Sequence, residues 1–299
     1  MKDQLDVGKL GRAVRTAGMA AGLRYPGKVA IVTGGTRGIG EGILREFVRQ
    51  GAKVVFCAPG SEGERGMALQ KELEDCGAPG EAHFEVCDVL CETDIQTLVS
   101  VTVELYGRLD CLVNNAGGRE SFEGKGCGKN RDYLLFQTWD LCFSSFLYFQ
   151  YSLPHLRKTK GNIINISSLV SVMGQKAAVT YVATKGAVTA MTKAMAIDES
   201  KYGVRVNSIS PGNIWTPMWE RLANESANPE ATIQEGKDAQ ASALWLLGRM
   251  GTPAECAMAA LYLAADASFC TGMNLILSGG AELDYGQKSH PTASCDFAV

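Results

Sequence analysis

Histidine is scarce in this chain, with three in 299 residues, at positions 83, 155 and 290. No two cysteines stand in a C-x-x-C pair, so the usual nitrogen and sulfur ligands of zinc are not gathered, and no metal site is expected. An apolar run of about 18 residues is also lacking, which argues against a helical membrane span. Basic excess is absent: the formal net charge is −3 and the pI is near 5.7, whereas a nucleic-acid binder usually shows a basic stripe. The first 24 residues lack the apolar core of a secretory signal. Arg12, Arg15 and Arg24 allow a mitochondrial-targeting reading, but a disordered extension is the expectation, with Met19 an alternative start. The tail from Gln287 reads the same way. Internal repeats and domain linkers are missing too, so residues 25–286 are expected to form one domain.

What is present is ordinary globular material, 46% hydrophobic and 20% charged, enough for a sizeable core. Ten scattered cysteines, several inside apolar runs (Cys57, Cys111), suit buried free thiols in a reducing compartment, which points to the cytosol. Lys28 to Val32 has the pattern of a short strand. It runs into Thr33-Gly34-Gly35-Thr36-Arg37-Gly38-Ile39-Gly40, then a helical pattern from Glu41 to Gln50, a stop at Gly51, and a second strand from Lys53 to Cys57. Strand, glycine-rich turn, helix, strand is the first half of a dinucleotide-binding unit. The glycines let the backbone turn tightly and approach a pyrophosphate at the helix N-terminus. Their spacing is G-x-x-x-G-x-G, and the flanking strand and helix are what give it weight.

The pattern repeats downstream. A helix-compatible stretch runs to about Asp75, then a strand from His83 to Cys87 ending in Asp88-Val89, and a helix from Ile95 to Tyr106. A strand from Leu109 to Val113 ends in Asn114-Asn115-Ala116-Gly117. Asp88 suits an adenine amino group, or else caps the following helix along with Thr93 and Asp94. Residues 118–129 are rich in glycine and charge. Residues 133–153 are aromatic and must hold a helix if the flanking strands are parallel neighbours; that stripe fits a core or subunit-contact helix better than a ligand box. Asn162 to Ile166 is a buried-strand run ending in Ser167-Ser168. A helix is expected from Thr180 to Asp198, and a strand from Arg205 to Ser210 precedes Pro211-Gly212-Asn213-Ile214-Trp215-Thr216-Pro217. Residues 218–248 read as a substrate loop. Thr252-Pro253-Ala254-Glu255 is a capping box that opens a helix to about Ala265, and Met273 to Leu277 is a last strand. Seven strands alternating with about six helices predict an α/β single-domain Rossmann-type doubly wound parallel sheet, with ligands at the carboxyl ends of its strands.

Tyr181 and Lys185 are four apart, on one face of a helix with about 3.6 residues per turn. A free tyrosine titrates near 10 and is a poor base at neutral pH. A neighbouring ammonium favours the phenolate. The pair can therefore exchange a proton with an alcohol or carbonyl whose oxygen Ser168 holds. Alone, Y-x-x-x-K is a frequent accident on helices; the upstream nucleotide pattern is what separates it from one.

TGGTRGIG (33–40), DV (88–89), NNAG (114–117), the Ser168 to Tyr181-x-x-x-Lys185 spacing and SPGNIWTP (210–217) together resemble the short-chain dehydrogenase/reductases over about residues 25–286. Within that family, YVATKGAVTAMTKA, LGRMG and SGGAEL are similar to members acting on 17β-hydroxysteroids or L-fucose. The resemblance implies a dehydrogenase of a secondary alcohol, with Tyr181 as general acid/base, Lys185 assisting it and holding the nicotinamide ribose, and Ser168 orienting the substrate oxygen. It implies dinucleotide contacts at Gly34, Arg37, Ile39, Gly40, Asp88, Val89, Asn115, Ile214, Thr216 and Met218, and substrate contacts at Gln175 and Trp219. It also implies a homotetramer. NAD is the expected cofactor, with NADP open, because the acid that NAD-selective members carry at the end of the second strand is replaced by Ala58. The family's asparagine in the helix before the serine strand falls at Leu141, beside Asp140, and residues 118–150 depart most from the pattern. Ala58 and Leu141 favour a second reading, a nucleotide-binding homologue with little or no turnover.

Overall fold

The computed structural model describes residues 22–117, 131–176, 178–224, 226–234, 247 and 249–283, with side chains left undescribed at 131–144 and Leu222. The chain alternates β1 (Val29–Thr33), α1 (Gly38–Arg49), β2 (Lys53–Ala58), α2 (Gly63–Asp75), β3 (Glu81–Val86), α3 (Glu92–Tyr106), β4 (Cys111–Asn114), α4 (Arg131–Thr159), β5 (Asn162–Ile166), α5 (Val179–Glu199) and β6 (Arg205–Pro211). It then continues through α6 (Pro217–Asn224), α7 (Pro253–Leu261) and β7 (Asn274–Leu277). All seven strands are parallel, in the order β3-β2-β1-β4-β5-β6-β7. The order reverses between β1 and β4, the crevice where open α/β sheets bind their ligands.

Because both faces of such a sheet are covered by helices, its central strands are continuous apolar runs. Every residue of β1, β4 and β5 is buried. Side chains alternate across each strand, so one run feeds two cores. Ala30, Val32, Val54, Phe56 and Ile164 pack with Ile43, Leu44 and Phe47 of α1 and Ala257, Ala260 and Leu261 of α7. Ile31, Val55, Leu112 and Ile163 face the other way, onto Ile95 and Leu98 of α3, Tyr148, Leu153 and Leu156 of α4, and Met195 of α5. The described part of the aromatic stretch is therefore chiefly core. Tyr148 is buried, with its hydroxyl 3.1 Å from the Cys87 sulfur and 3.8 Å from that of Cys57, and burial pushes its phenol well above the usual tyrosine range.

Element ends differ from the sequence reading by one to a few residues, where caps and ladders compete. β3 starts at Glu81 and stops at Val86, although the Cys87 amide still donates to the Ala58 carbonyl at 2.9 Å. β4 runs on to Asn114 because Asn114 pairs with Asn165 of β5 through the backbone register and through a 2.9 Å side-chain bond. The Thr252 capping box forms as expected: Thr252 Oγ1 accepts from the Glu255 amide, and Glu255 Oε2 accepts from the Thr252 amide at 2.8 Å. The helix it opens ends at Leu261, short of Ala265, and a single wide π turn, Tyr262–Asp266, follows.

The amino end of the sheet is tied by Asp110, whose side chain is 4% exposed. It accepts from the Val29 amide at 3.0 Å, from Lys28 at 3.2 Å and from Arg108 at 2.6 and 2.8 Å. Burial alone would raise its pKa, but these donors outweigh it and hold the carboxyl below the usual aspartate value. A depressed carboxyl contributes stability above its unfolded pKa of about 3.9 and loses it as pH falls through the folded value. Asp110→Asn is expected to cost about 1–3 kcal/mol at pH 7 and to flatten the loss of stability below about pH 4. Urea unfolding of both proteins at pH 7 and pH 3 checks this; equal acid losses would remove Asp110 from the account.

Candidate active site

The carboxyl ends of β1, β4, β5 and β6 meet at the point where the sheet order reverses. On the β1 side, Gly34 and Gly38 take left-handed backbone angles, φ +64° and +59°. The Gly35 amide donates to the Cys57 carbonyl at 3.1 Å, which folds the turn back over β2. At Gly40 an added Cβ would lie 2.1 Å from the Gly34 oxygen and 2.4 Å from Asn115 Nδ2, so only glycine lets α1 begin this close to the turn. Arg37, the residue before α1, contributes no side-chain cap. The first-turn amides and the positive end of the helix dipole thus face the crevice, as an anion site requires. This tight glycine cradle at a helix N-terminus fits a dinucleotide pyrophosphate.

Asn115 stitches the cradle to β4. Its amide donates to Thr33 Oγ1 at 3.0 Å, and its Nδ2 donates to the carbonyls of Thr33 and Gly34 at 2.9 and 3.1 Å. Thr33 Oγ1 also accepts from the Ala116 amide at 2.9 Å. Thr216, buried in the loop after β6, reaches the turn: a Cβ on Gly38 would sit 3.6 Å from its methyl group. Ile214 is buried and bridges to Gly251, which fixes the loop that carries Thr216. Ile39 and Val89 are half-buried, each packed against a different core. Met218 is exposed, and Trp219 packs on Trp215 with rings tilted by 38° and centroids 5.4 Å apart.

On the β5 side the catalytic candidates converge. Lys185 Nζ donates to the Ile166 carbonyl at 2.9 Å and lies 5.9 Å from the centroid of the Tyr181 ring one turn earlier on α5. Ser167 donates to the Lys185 carbonyl at 2.9 Å and bonds the Thr189 hydroxyl at 2.8 Å, so the end of β5 is clamped to the face of α5 that carries Tyr181 and Lys185. Ser168 follows, half-exposed, with Oγ accepting from the Val170 amide at 3.4 Å. Among the described residues, the Tyr181 hydroxyl has no hydrogen-bond partner. A Cβ on Gly117 would lie 3.7 Å from Lys185 Nζ, which places the NNAG loop against the same ammonium. One of three ammonium donors is spent on Ile166, leaving others for a ligand.

Other sequence candidates stand apart. Asp88 is exposed and makes a local turn: Oδ1 accepts from the Leu90 amide at 3.0 Å, while its own amide donates to Asp94 at 3.0 Å. Gln175 is exposed beyond β5. The Leu141 and Asp140 side chains, like residues 118–130, lie outside the described residues.

Several residues escaped the sequence reading. Thr33 carries the hydrogen bonds that place Asn115, and Ser167 carries those that place α5. Asn165 joins Asn114 to Thr192. Glu62, in the turn after β2, bonds Arg37 at 2.7 Å and Thr36 at 3.3 Å. An acid some twenty residues past a glycine-rich turn is the signal that would have found it.

Three comparisons bear on this arrangement. A family model described as enoyl-(acyl carrier protein) reductase matches residues 34–282. L-fucose dehydrogenase of Bos taurus is 54% identical over 284 residues, spanning 93% of this chain and 98% of its own. The Mus musculus L-fucose dehydrogenase is 54% identical over 277 residues, spanning 91% and 94%. Among solved structures, L-sorbose reductase from Gluconobacter frateurii, complexed with NADPH and L-sorbose, superposes with a TM-score of 0.78 at 25% identity, over 87% of this chain and 98% of that one.

Proposed function

The chain belongs to the short-chain dehydrogenase/reductase family, and from that premise we propose that it oxidises a secondary hydroxyl of a free sugar of the L-fucose type. The observation that carries the reading is the clamped pair on α5: Tyr181 and Lys185 on one helix face, held by Ile166 and Ser167 beside Ser168. Its relatives' names favour the sugar over the 17β-hydroxysteroid among the two alcohols that the resemblance implies.

A nicotinamide dinucleotide, NAD or NADP, accepts the carbinol hydride when bound. Gly34, Gly40, Arg37 and Ile39 would hold its adenosine and pyrophosphate half, with Asp88 and Val89 at the adenine. Asn115, Lys185, Ile214, Thr216 and Met218 would hold the nicotinamide half. Tyr181 takes the alcohol proton, the Lys185 ammonium stabilises the phenolate needed for that, and Ser168 orients the substrate oxygen. Gln175 and Trp219 are assigned to the substrate. The enzyme acts as a cytosolic homotetramer in this proposal. The half-buried apolar edge strand β7 and the outward side of the aromatic helix α4, where Phe146 is exposed, are the contact surfaces.

Reduction of NAD and of NADP by the purified protein, followed by nicotinamide absorbance with L-fucose and separately with estradiol, tests the reading. Turnover with L-fucose is expected. Turnover with estradiol alone would replace the sugar by the steroid. Dinucleotide binding without turnover on either would support the non-catalytic homologue.

A further inference from the structure

Where β2 ends, the chain departs from the simplest dinucleotide site. Ala58 offers no side chain to a ribose, and Pro59-Gly60 turns the chain away before an acid arrives. The acid that does arrive is Glu62, at the end of the 3-10 turn Gly60–Glu62. Its two oxygens each accept one bond from the glycine turn, Oε1 from the Arg37 guanidinium at 2.7 Å and Oε2 from the Thr36 hydroxyl at 3.3 Å, which leaves further lone pairs for a ligand. The carboxylate is thereby hung over the N-terminus of α1, beside the cradle of Gly34, Gly38 and Gly40. Its side chain is 17% exposed, so part of it still faces solvent, and Arg37, 51% exposed, leans out over it.

The position matters because a dinucleotide fold reads its cofactor there. An acid about twenty residues past the glycines takes the ribose hydroxyls of NAD, while a free arginine receives the extra phosphate of NADP. Glu62 lies about that far past Gly40. Arg37 alone would favour the phosphate, but here its charge is already matched. The other arginine at this corner, Arg65, is also committed: Nε donates to the Thr36 carbonyl at 2.7 Å and a terminal nitrogen to Glu41 at 3.3 Å. Glu41 is shared with Arg45, which also pairs with Glu72, so three arginines stand against three glutamates among the described residues, and a phosphate of about two negative charges would meet a carboxylate with each of these cations already matched.

We propose that Glu62, displaced past the end of β2 and braced by Arg37 and Thr36, is the residue that selects NAD over NADP in this chain. The proposal rests on the dehydrogenase reading only in taking the glycine cradle as a dinucleotide site. Glu62 supplies the acceptor for the ribose hydroxyls that Ala58 cannot, and its charge turns away the 2′-phosphate. Removing that charge without removing the side chain frees Arg37 to receive the phosphate.

The test is binding, read by the fluorescence of NADH and of NADPH titrated with the wild-type protein, Glu62→Gln, and Glu62→Gln combined with Arg37→Ala. Wild type is expected to bind NADH more tightly than NADPH. Glu62→Gln should shift the ratio of the two dissociation constants by about tenfold or more toward NADPH, and the added Arg37→Ala should cancel that gain. An unchanged ratio in Glu62→Gln, or a wild type that prefers NADPH, overturns the assignment of Glu62 while leaving a dinucleotide enzyme intact. If neither nucleotide binds wild type, the dehydrogenase reading itself falls, and this inference with it.

Discussion

Tyr181→Phe is expected to lower turnover of L-fucose with NAD by about 10²–10⁴-fold, the usual contribution of a positioned acid/base group, while leaving NADH affinity where it is. Deleting the hydroxyl costs the fold little. It has no hydrogen-bond partner among the described residues, so no buried donor or acceptor is orphaned. The ring that sits 5.9 Å from Lys185 remains, and so do the Lys185 bond to Ile166 and the Ser167 clamp. The phenylalanine protein should therefore melt near wild type and still quench or enhance NADH fluorescence. Steady-state rates and NADH titration on the same preparation separate the outcomes. Retained turnover would dismiss Tyr181 as the proton acceptor. Loss of NADH binding would make it a binding residue.

The elements that position this tyrosine were largely legible in the sequence because each depends on a local rule. Central parallel strands such as Ile163 to Ile166 are apolar throughout because both faces are covered. Tyr181 and Lys185 share a face through helix periodicity alone, and the Thr252 box is a four-residue pattern. What the sequence left dark depends on which of two equal candidates a fold turns inward. Ser167 and Ser168 are chemically identical, but side chains alternate along an extended chain. Ser167 is the one directed at α5, onto Lys185 and Thr189, and Ser168 is left half-exposed at the crevice. Glu62 was hidden for another reason. Its meaning comes from an ion pair that crosses from the turn after β2 back to the turn after β1, which no local pattern displays. Asn165, likewise, is one more polar residue in an apolar run until the register sets it against Asn114 on β4 and beneath Thr192 on α5.

The glycine cradle supports a second large effect, with its own control on α5. Gly40→Ala adds a methyl group at 2.1 Å from the Gly34 oxygen and 2.4 Å from Asn115 Nδ2, both far inside contact distance. Neither neighbour is the loose end of a flexible chain. The oxygen is backbone in a turn already held at positive φ, and Asn115 Nδ2 is bonded to the carbonyls of Thr33 and Gly34. Relief requires α1 to move off the turn or Asn115 to break both bonds, at a cost of about 3 kcal/mol or more. Either movement spoils the pyrophosphate cradle. The protein should melt several degrees lower and should lose the rise in melting temperature that a dinucleotide gives by binding the folded state alone. Gly186→Ala is the contrast. It lies in α5 next to Lys185, yet among the described residues nothing outside its own helix backbone stands within 4 Å of the added Cβ, so the change should gain up to about 1 kcal/mol from helix propensity and keep the nucleotide-induced shift. Thermal melts of both variants with and without NADH decide the matter. A Gly40→Ala protein that melts like wild type and still gains from NADH would mean that the cradle yields easily, and that the close approach of α1 to the turn is not what binds the nucleotide.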